Sequence, residues 1–404
     1  MLYLITWLTD FAAFLLIFTV PRLLAEQEAD AFMIGLIGTM FSAVSVFSNA
    51  ISGRLSDRHG RRIVATTGTM LLFLSICGVT WLQPGRWSYY VSFAVAGGSL
   101  GIIYPALIAW IGHGRSDKHA SRAFLGFCLA FNLGMISGQL VGGWLFQYWG
   151  LQPPLYLAMA LVATSLVLLS RFRADSIPQL KIASKDEIRQ SSRVALSAAF
   201  SRVCWIVNIG GTFSMSIVFY LLPKLLVELN IPANEHGTML AIGRTVVIGT
   251  FLSMHVSSFW HHRLSMSLAT QIFGVFGLFG LAVSTTLVGL TIGLASLSVL
   301  LGYNYFSSVY YSNTGSADHR KGTASGMHEA TLALGLTTGS LFGGVAGSYF
   351  GNRAPFLLAA AVITALAVVQ IVAYRRLVHP LFQQQAAEAF AQQATPASET
   401  GGVF

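Results

Sequence analysis

Charge is scarce in this sequence. Of 404 residues only 10% are Asp, Glu, Lys or Arg, while 54% are hydrophobic and the mean hydropathy is +0.66. A soluble domain carries about 25% charged residues, so water is excluded as the solvent for most of this surface. Cysteine is scarce too. Cys77, Cys128 and Cys204 all fall in apolar runs and none belongs to a C-x-x-C pair. That argues against a disulfide framework and a zinc site. No G-x-x-x-x-G-K-[ST] occurs, which excludes an ATP-driven pump of that type within the chain. "HEATL" (328–332) lacks the second His of H-E-x-x-H. His255, His261 and His262 cluster, but adjacent residues point to different sides of a helix. Without a convergent nucleophile or metal constellation, no enzyme, metal or cofactor is expected.

What the sequence has instead is apolar length. A spanning helix needs about 20 apolar residues. Twelve such runs can be read, at 2–22, 32–52, 63–83, 88–111, 123–147 and 154–170, then 196–222, 237–257, 264–284, 287–311, 325–349 and 354–374. The stretch from 264 to 313 is too long for one span and is broken near Ser284–Thr286. The first run has no basic leader and carries Asp10, so it reads as a true span and not as a cleaved signal. The 40 glycines suit helices that pack closely in a bilayer.

The few cations are unevenly placed. Arg54, Arg58, Arg61 and Arg62 lie between spans 2 and 3; Arg115, Lys118 and Arg122 between 4 and 5; and Arg171, Arg173, Lys181, Lys185, Arg189 and Arg193 between 6 and 7. Arg263, Arg320, Lys321, Arg375 and Arg376 share that side, whereas the opposite side has Arg22, Arg86, Lys224 and Arg353. By the positive-inside rule both termini and the 171–195 segment are expected in the cytoplasm. The same placement explains the net charge of +9 as topology and removes nucleic acid as a partner.

The chain repeats itself. "VPRLLAEQ" (20–27) matches "LPKLLVEL" (222–229), and Gly35 matches Gly237, both at an offset of 202. Gly134, Gly138, Gly142 and Gly143 match Gly335, Gly339, Gly343 and Gly344 at an offset of 201. The expected organisation is a six-helix bundle at 1–170, a linker at 171–195, a second bundle at 196–376 and a loosely ordered tail at 377–404. Parallel six-span repeats are an arrangement of secondary transporters, with the solute site near the midplane between the halves.

"GRLSDRHGRR" (53–62) holds five of the scarce charges. It resembles the loop 2–3 signature of the major facilitator superfamily, G-x-L-x-D-R-x-G-R-R/K, through Gly53, Leu55, Asp57, Arg58, Gly60, Arg61 and Arg62. The resemblance implies an all-α membrane fold of two pseudo-symmetric six-helix bundles. It also implies a latch in which Asp57 meets the N-terminus of span 11 near Thr323–Ser325, where exposed N–H groups and the helix dipole favour an anion. The alternative is a loop that only sets topology. The second-half copy has decayed, with Phe259 and His262 at the positions of Asp57 and Gly60. The first span, with Asp10 and Pro21, is similar to that of the family's drug–proton antiporters. Two departures weaken that branch: 91–105 lacks a buried arginine, and "GMISGQLVGG" (134–143) has Gln139 where those antiporters have proline.

Charge at the bilayer centre costs roughly 2.5–3.5 kcal/mol on insertion scales. Asp10 and Arg244 are therefore cavity candidates, the alternative being a structural pairing with each other or with backbone groups. Arg202 falls at the cytoplasmic interface. Spans 1, 4, 7 and 10 line the cavity in the family, which nominates Tyr104, Asn208, Thr212, Tyr303, Asn304 and Tyr305. Glu329, beside His328, is a titratable carboxyl for proton coupling, or a gate paired with Arg58 or Arg61. The function expected is proton-coupled efflux of a small organic solute by a monomer in a bacterial inner membrane. An uncoupled facilitator, an importer and a transport-dead accessory paralogue are the alternatives.

Overall fold

A computed structural model describes residues 1–112, 117–171, 189–316 and 321–384, with side chains left undescribed at 53–54, 57, 109, 112, 117–124, 189–193, 313 and 321–326. The described chain is helical and contains twelve helices long and apolar enough to cross a membrane. They are α1 (Leu2–Glu26), α2 (Ala31–His59), α3 (Arg61–Trp81), α4 (Trp87–Gly112), α5 (Asp117–Trp149) and α6 (Gln152–Arg171) in the first half. The second half has α7 (Arg189–Tyr220), the short α8 (Leu222–Glu228), α9 (Ala233–Val256), α10 (Leu264–Val283), α11 (Leu287–Thr314), α12 (Lys321–Phe350) and α13 (Ala354–Leu377).

Punctuation follows local chemistry. Asp30 caps α2 by accepting from the Phe32 N–H, and the Thr286 side chain caps α11 by accepting from Gly289 N–H. The break expected at 284–286 is where α10 ends and α11 begins. Three expectations are corrected. The first span does not stop at residue 22: α1 runs on to Glu26, with Pro21 inside the helix. "GRLSDRHGRR" is not an open loop: α2 continues to His59 and α3 starts at Arg61. Gly60 alone turns the chain, at φ +88°, a region that costs glycine little. The chain also stays helical at 379–384, where a tail was expected, because Val378 is buried against an aromatic cluster. Residues 172–188, most of the linker, and 385–404 lie outside the described residues.

The two halves meet along two seams, α5 on α9 and α2 on α12. These seams are copies of each other. A Cβ on Gly35 would overlap the Ser340 carbonyl, and one on Gly237 would overlap the Gln139 carbonyl. Gly344 closes on Gly35 as Gly143 closes on Gly237. Each residue has its partner's equivalent at the offset of 201 or 202 found in the sequence. Bare backbones allow this approach, and dispersion between them replaces the hydrophobic drive that is missing in lipid. Both seams lie toward the end of the bundle poor in Lys and Arg, called here the charge-poor end.

Candidate functional site

Asp10 lies in α1 about 12 Å from the start of the helix and is fully enclosed, at 0% exposure. The Tyr104 hydroxyl on α4 donates to its Oδ1, while Oδ2 has no hydrogen-bond partner. Gly134 brings α5 against the Asp10 Cβ. In the second half Gly335 packs on Thr212 in the same way, so Thr212 stands where Asp10 stands. Its hydroxyl turns back to the Asn208 carbonyl at 2.9 Å. The duplication thus placed one carboxyl, on one side only.

Beyond Tyr104 the layer crosses to the other half. Tyr104 is within electrostatic reach of Tyr305, and Tyr305 is within reach of Cys128 and Glu329. Tyr104 and Tyr305 are equivalent positions, as are Cys128 and Glu329, at the offset of 201. The His328 ring stands edge-on to Tyr305 at 5.3 Å. Its Nδ1 lies 2.8 Å from Ser308 Oγ, and its Nε2 has no partner. Among the described residues Glu329 makes no ion pair with Arg58.

Arg244 stands apart from this layer. Its Nη2 is 3.1 Å from Met215 Sδ, and its guanidinium lies over the Phe219 ring at 5.1 Å. It lines a small cavity with Gln139, Met215, Ser298 and Leu301. Asp10 and Arg244 form no ion pair. Phe14, one turn along from Asp10, packs on Phe219 at 5.6 Å and separates the two charges. Of the other nominated residues, Asn208 donates to Thr331 Oγ1 at 3.2 Å, and Asn304 donates to the Val207 carbonyl at 3.0 Å with its own Oδ1 unpartnered. Tyr303 packs instead on Trp260, in the aromatic cluster of Phe200 and Tyr311.

His261 is stacked on Tyr310 and edge-on to Trp260. Partial burial lowers its pKa below the ordinary imidazole value. Among the described residues, no group of three His, Cys, Asp or Glu side chains could hold a metal ion. In the signature segment Arg62 donates to the Ser170 carbonyl. The side chains of Gly53 and Asp57 and the proposed partner at Thr323–Ser325 lie outside the described residues.

Sequence reasoning missed a clasp at the charge-poor end. Arg22 Nη2 on α1 donates to the Ile231 carbonyl of the second half at 3.0 Å. Lys224 on α8 donates to the Ala29 carbonyl of the first half at 2.6 Å. Arg22 and Lys224 are equivalent at an offset of 202, and so are Ala29 and Ile231. Each acceptor follows a left-handed residue, Glu28 at φ 59° and Asn230 at φ 57°, just beyond a helix C-terminus. Cations are favoured there by the helix dipole. Among the described residues, the cross-half hydrogen bonds seen, including Thr39 with Ser340 at 3.1 Å, all lie toward this end.

Two halves related by an internal repeat, with polar groups enclosed between them, define a membrane transporter. The chain belongs to the Major Facilitator Superfamily, whose model matches residues 2–328. It is 23% identical over 355 residues to an uncharacterized transporter of this type from Methanocaldococcus jannaschii, covering 83% of this chain and 89% of that one. A Na(+), Li(+), K(+)/H(+) antiporter of Planococcus maritimus is 28% identical over 170 residues, 40% of this chain and 39% of the antiporter. The crystal structure of the human organic anion transporter MFSD10 (TETRAN) shares the fold, with a TM-score of 0.64 at 19% identity, covering 91% of this chain and 98% of that one.

Proposed function

We propose that the chain is a secondary active transporter that exports a small organic solute by alternating access, driven by protons. The observation that carries this reading is Asp10: a carboxyl fully enclosed beside the junction of the halves, held by Tyr104 at one oxygen and free at the other. An enclosed carboxyl without a cationic partner is suited to carry a proton that water on alternate sides can deliver and remove. Tyr305 and Glu329 extend the same layer into the second half, so a proton at either acid can bias how the halves sit. The antiporter among the relatives agrees with proton exchange. Arg244, half-buried over Phe219 and without an acid partner, supports an anionic group on the solute. The likeness to the human organic anion transporter carries the fold alone and adds nothing to that point. The uneven distribution of Lys and Arg supports a cytoplasmic side for both termini, with the charge-poor end outside.

The test is flux into inside-out vesicles loaded with a pH dye. A panel of labelled organic anions and cations is offered with and without a pH gradient. Gradient-driven accumulation of an anion is expected. Asp10→Asn, which keeps the shape and removes the titration, should abolish accumulation while leaving exchange of labelled for unlabelled solute. Accumulation that ignores the gradient in the wild type would point to the uncoupled facilitator. Glu329→Gln run in parallel shows whether the second acid shares the task; retained pH-driven accumulation removes it from the mechanism.

A further inference from the structure

His236 sits one turn into α9, at the seam between the halves, and is 1% exposed. Its ring lies on Phe18 of α1 at 4.7 Å, tilted by 35°. Neither ring nitrogen has a hydrogen-bond partner. One turn beyond Phe18, Arg22 reaches over the start of α9 to the Ile231 carbonyl and lies within electrostatic reach of the imidazole. Arg22 is itself 5% exposed, is tied through Nε to Glu26 at 2.8 Å, and leaves Nη1 without a partner. Among the described residues, the other side chains seen to meet α9 near His236 are not titratable, and Tyr305 of α11 meets α9 only at Phe251, about four turns away. Gln139, Gly143 and Gln147 come from α5, and Leu294 and Ser298 come from α11. Arg22 is therefore the charged group that His236 faces, with Glu26 already engaged.

We propose that His236 is a proton-binding site of the charge-poor gate, and that proton binding there and closure of the Arg22–Lys224 clasp exclude each other. An imidazolium has two N–H donors and a full charge. In the closed arrangement it would find no acceptor and would lie beside a buried guanidinium. A buried charge with neither a partner nor hydrogen bonds is strongly disfavoured. When the seam parts, water reaches the ring and it titrates as an ordinary histidine, across the range in which cells and their surroundings differ in pH. Acid on that side then holds the gate open, and closing sheds the proton to the same water. The proposal rests on the alternating-access reading but names a different residue and a different event from proton carriage by Asp10.

The experiment needs no solute. Cys77, Cys128 and Cys204 are replaced by Ser, and spin labels are placed at Gln83→Cys and Thr285→Cys, equivalent exposed loop positions of the two halves. Distances are measured in nanodiscs from pH 8 to pH 5. Below the ordinary imidazole range the ratio of long to short distances should rise by up to about tenfold per pH unit, the limit for one linked proton. His236→Gln, or His236→Phe if the first fails to fold, should flatten that response. A wild-type distribution that ignores pH overturns the proposal, and so does an undiminished response in the His236 variant. A pH-independent distance together with intact proton-driven flux would sink this inference and leave the transport reading standing. A pH-dependent distance abolished by His236→Gln, in a protein showing no gradient-driven flux, would do the reverse.

Discussion

At the scale of single residues, the site is defined by polar groups that lack something. Asp10 lacks a cation, Arg244 lacks an acid, and one oxygen or nitrogen is left unpartnered on each of Asp10, Gln139, Asn304 and His328. Such groups cost stability where nothing fills them, so they mark places a solute or proton can occupy. Arg244 yields the most direct prediction. Arg244→Ala should reduce uptake of an anionic solute by 100-fold or more, taking a charged hydrogen bond as worth about 1.5–3 kcal/mol plus the loss of the charge itself. Arg244→Lys should recover little, because an ammonium cannot reproduce the planar fork that grips a carboxylate and stacks on Phe219. Uptake kinetics in vesicles with equal surface expression decide this, and near-normal transport by the alanine variant would make Arg244 a packing residue. Much of this was legible in the sequence, since a charge in an apolar run announces itself. What spacing could not reveal is that Asp10 and Arg244 stand apart, because Phe14 and Phe219 come between them from different halves. His236 gave no signal: a lone histidine near a helix start has the same pattern whether it is solvated or enclosed.

At the scale of elements, the seams and the clasp are one device. α2 on α12 and α5 on α9 bring bare backbones together, and just outside them Arg22 and Lys224 tie each half to the other, at the chain just beyond α8 and just beyond α1. Because the two bonds are equivalent, breaking one leaves its copy in place. Arg22→Gln with Lys224→Gln should therefore open the charge-poor end more than either change alone. The measurement is the labelling rate of Thr39→Cys, which lies in the α2–α12 seam, by an impermeant maleimide in a background without native cysteines. Each hydrogen bond to a charged group is worth about 1.5–3 kcal/mol, so a rise of tenfold or more is expected in the double variant. An unchanged rate would reduce the clasp to a contact without mechanical weight. The sequence did contain this device, as the matched segments "VPRLLAEQ" and "LPKLLVEL". A repeat shows that two segments are alike, not that each reaches across to the other, so their cations were counted only as topology. The helical continuation through "GRLSDRHGRR" was hidden for a different reason: charge resembles loop to a reader of composition, while Gly60 alone supplies the turn.

At the scale of the whole molecule, twelve helices and two halves followed directly from apolar length and the repeat, because in lipid every backbone group must be satisfied within a helix and long apolar runs have few alternatives. Orientation rests on the placement of Lys and Arg alone. A reporter active only outside the cytoplasm, fused after Lys185, should stay silent, and strong activity would invert every assignment of side. The clasp has one more consequence, which concerns descent. Arg22 meets residue 231 and Lys224 meets residue 29, so position i touches j while the equivalent of i touches the equivalent of j. That reciprocity is the mark of an isologous contact between two copies of one subunit. The outer closure of this single chain has the form of a homodimer interface, as two separate six-helix proteins would have made before their genes were joined, whereas the inner layer has given up that symmetry, with Thr212 at the equivalent of Asp10 and Cys128 at the equivalent of Glu329.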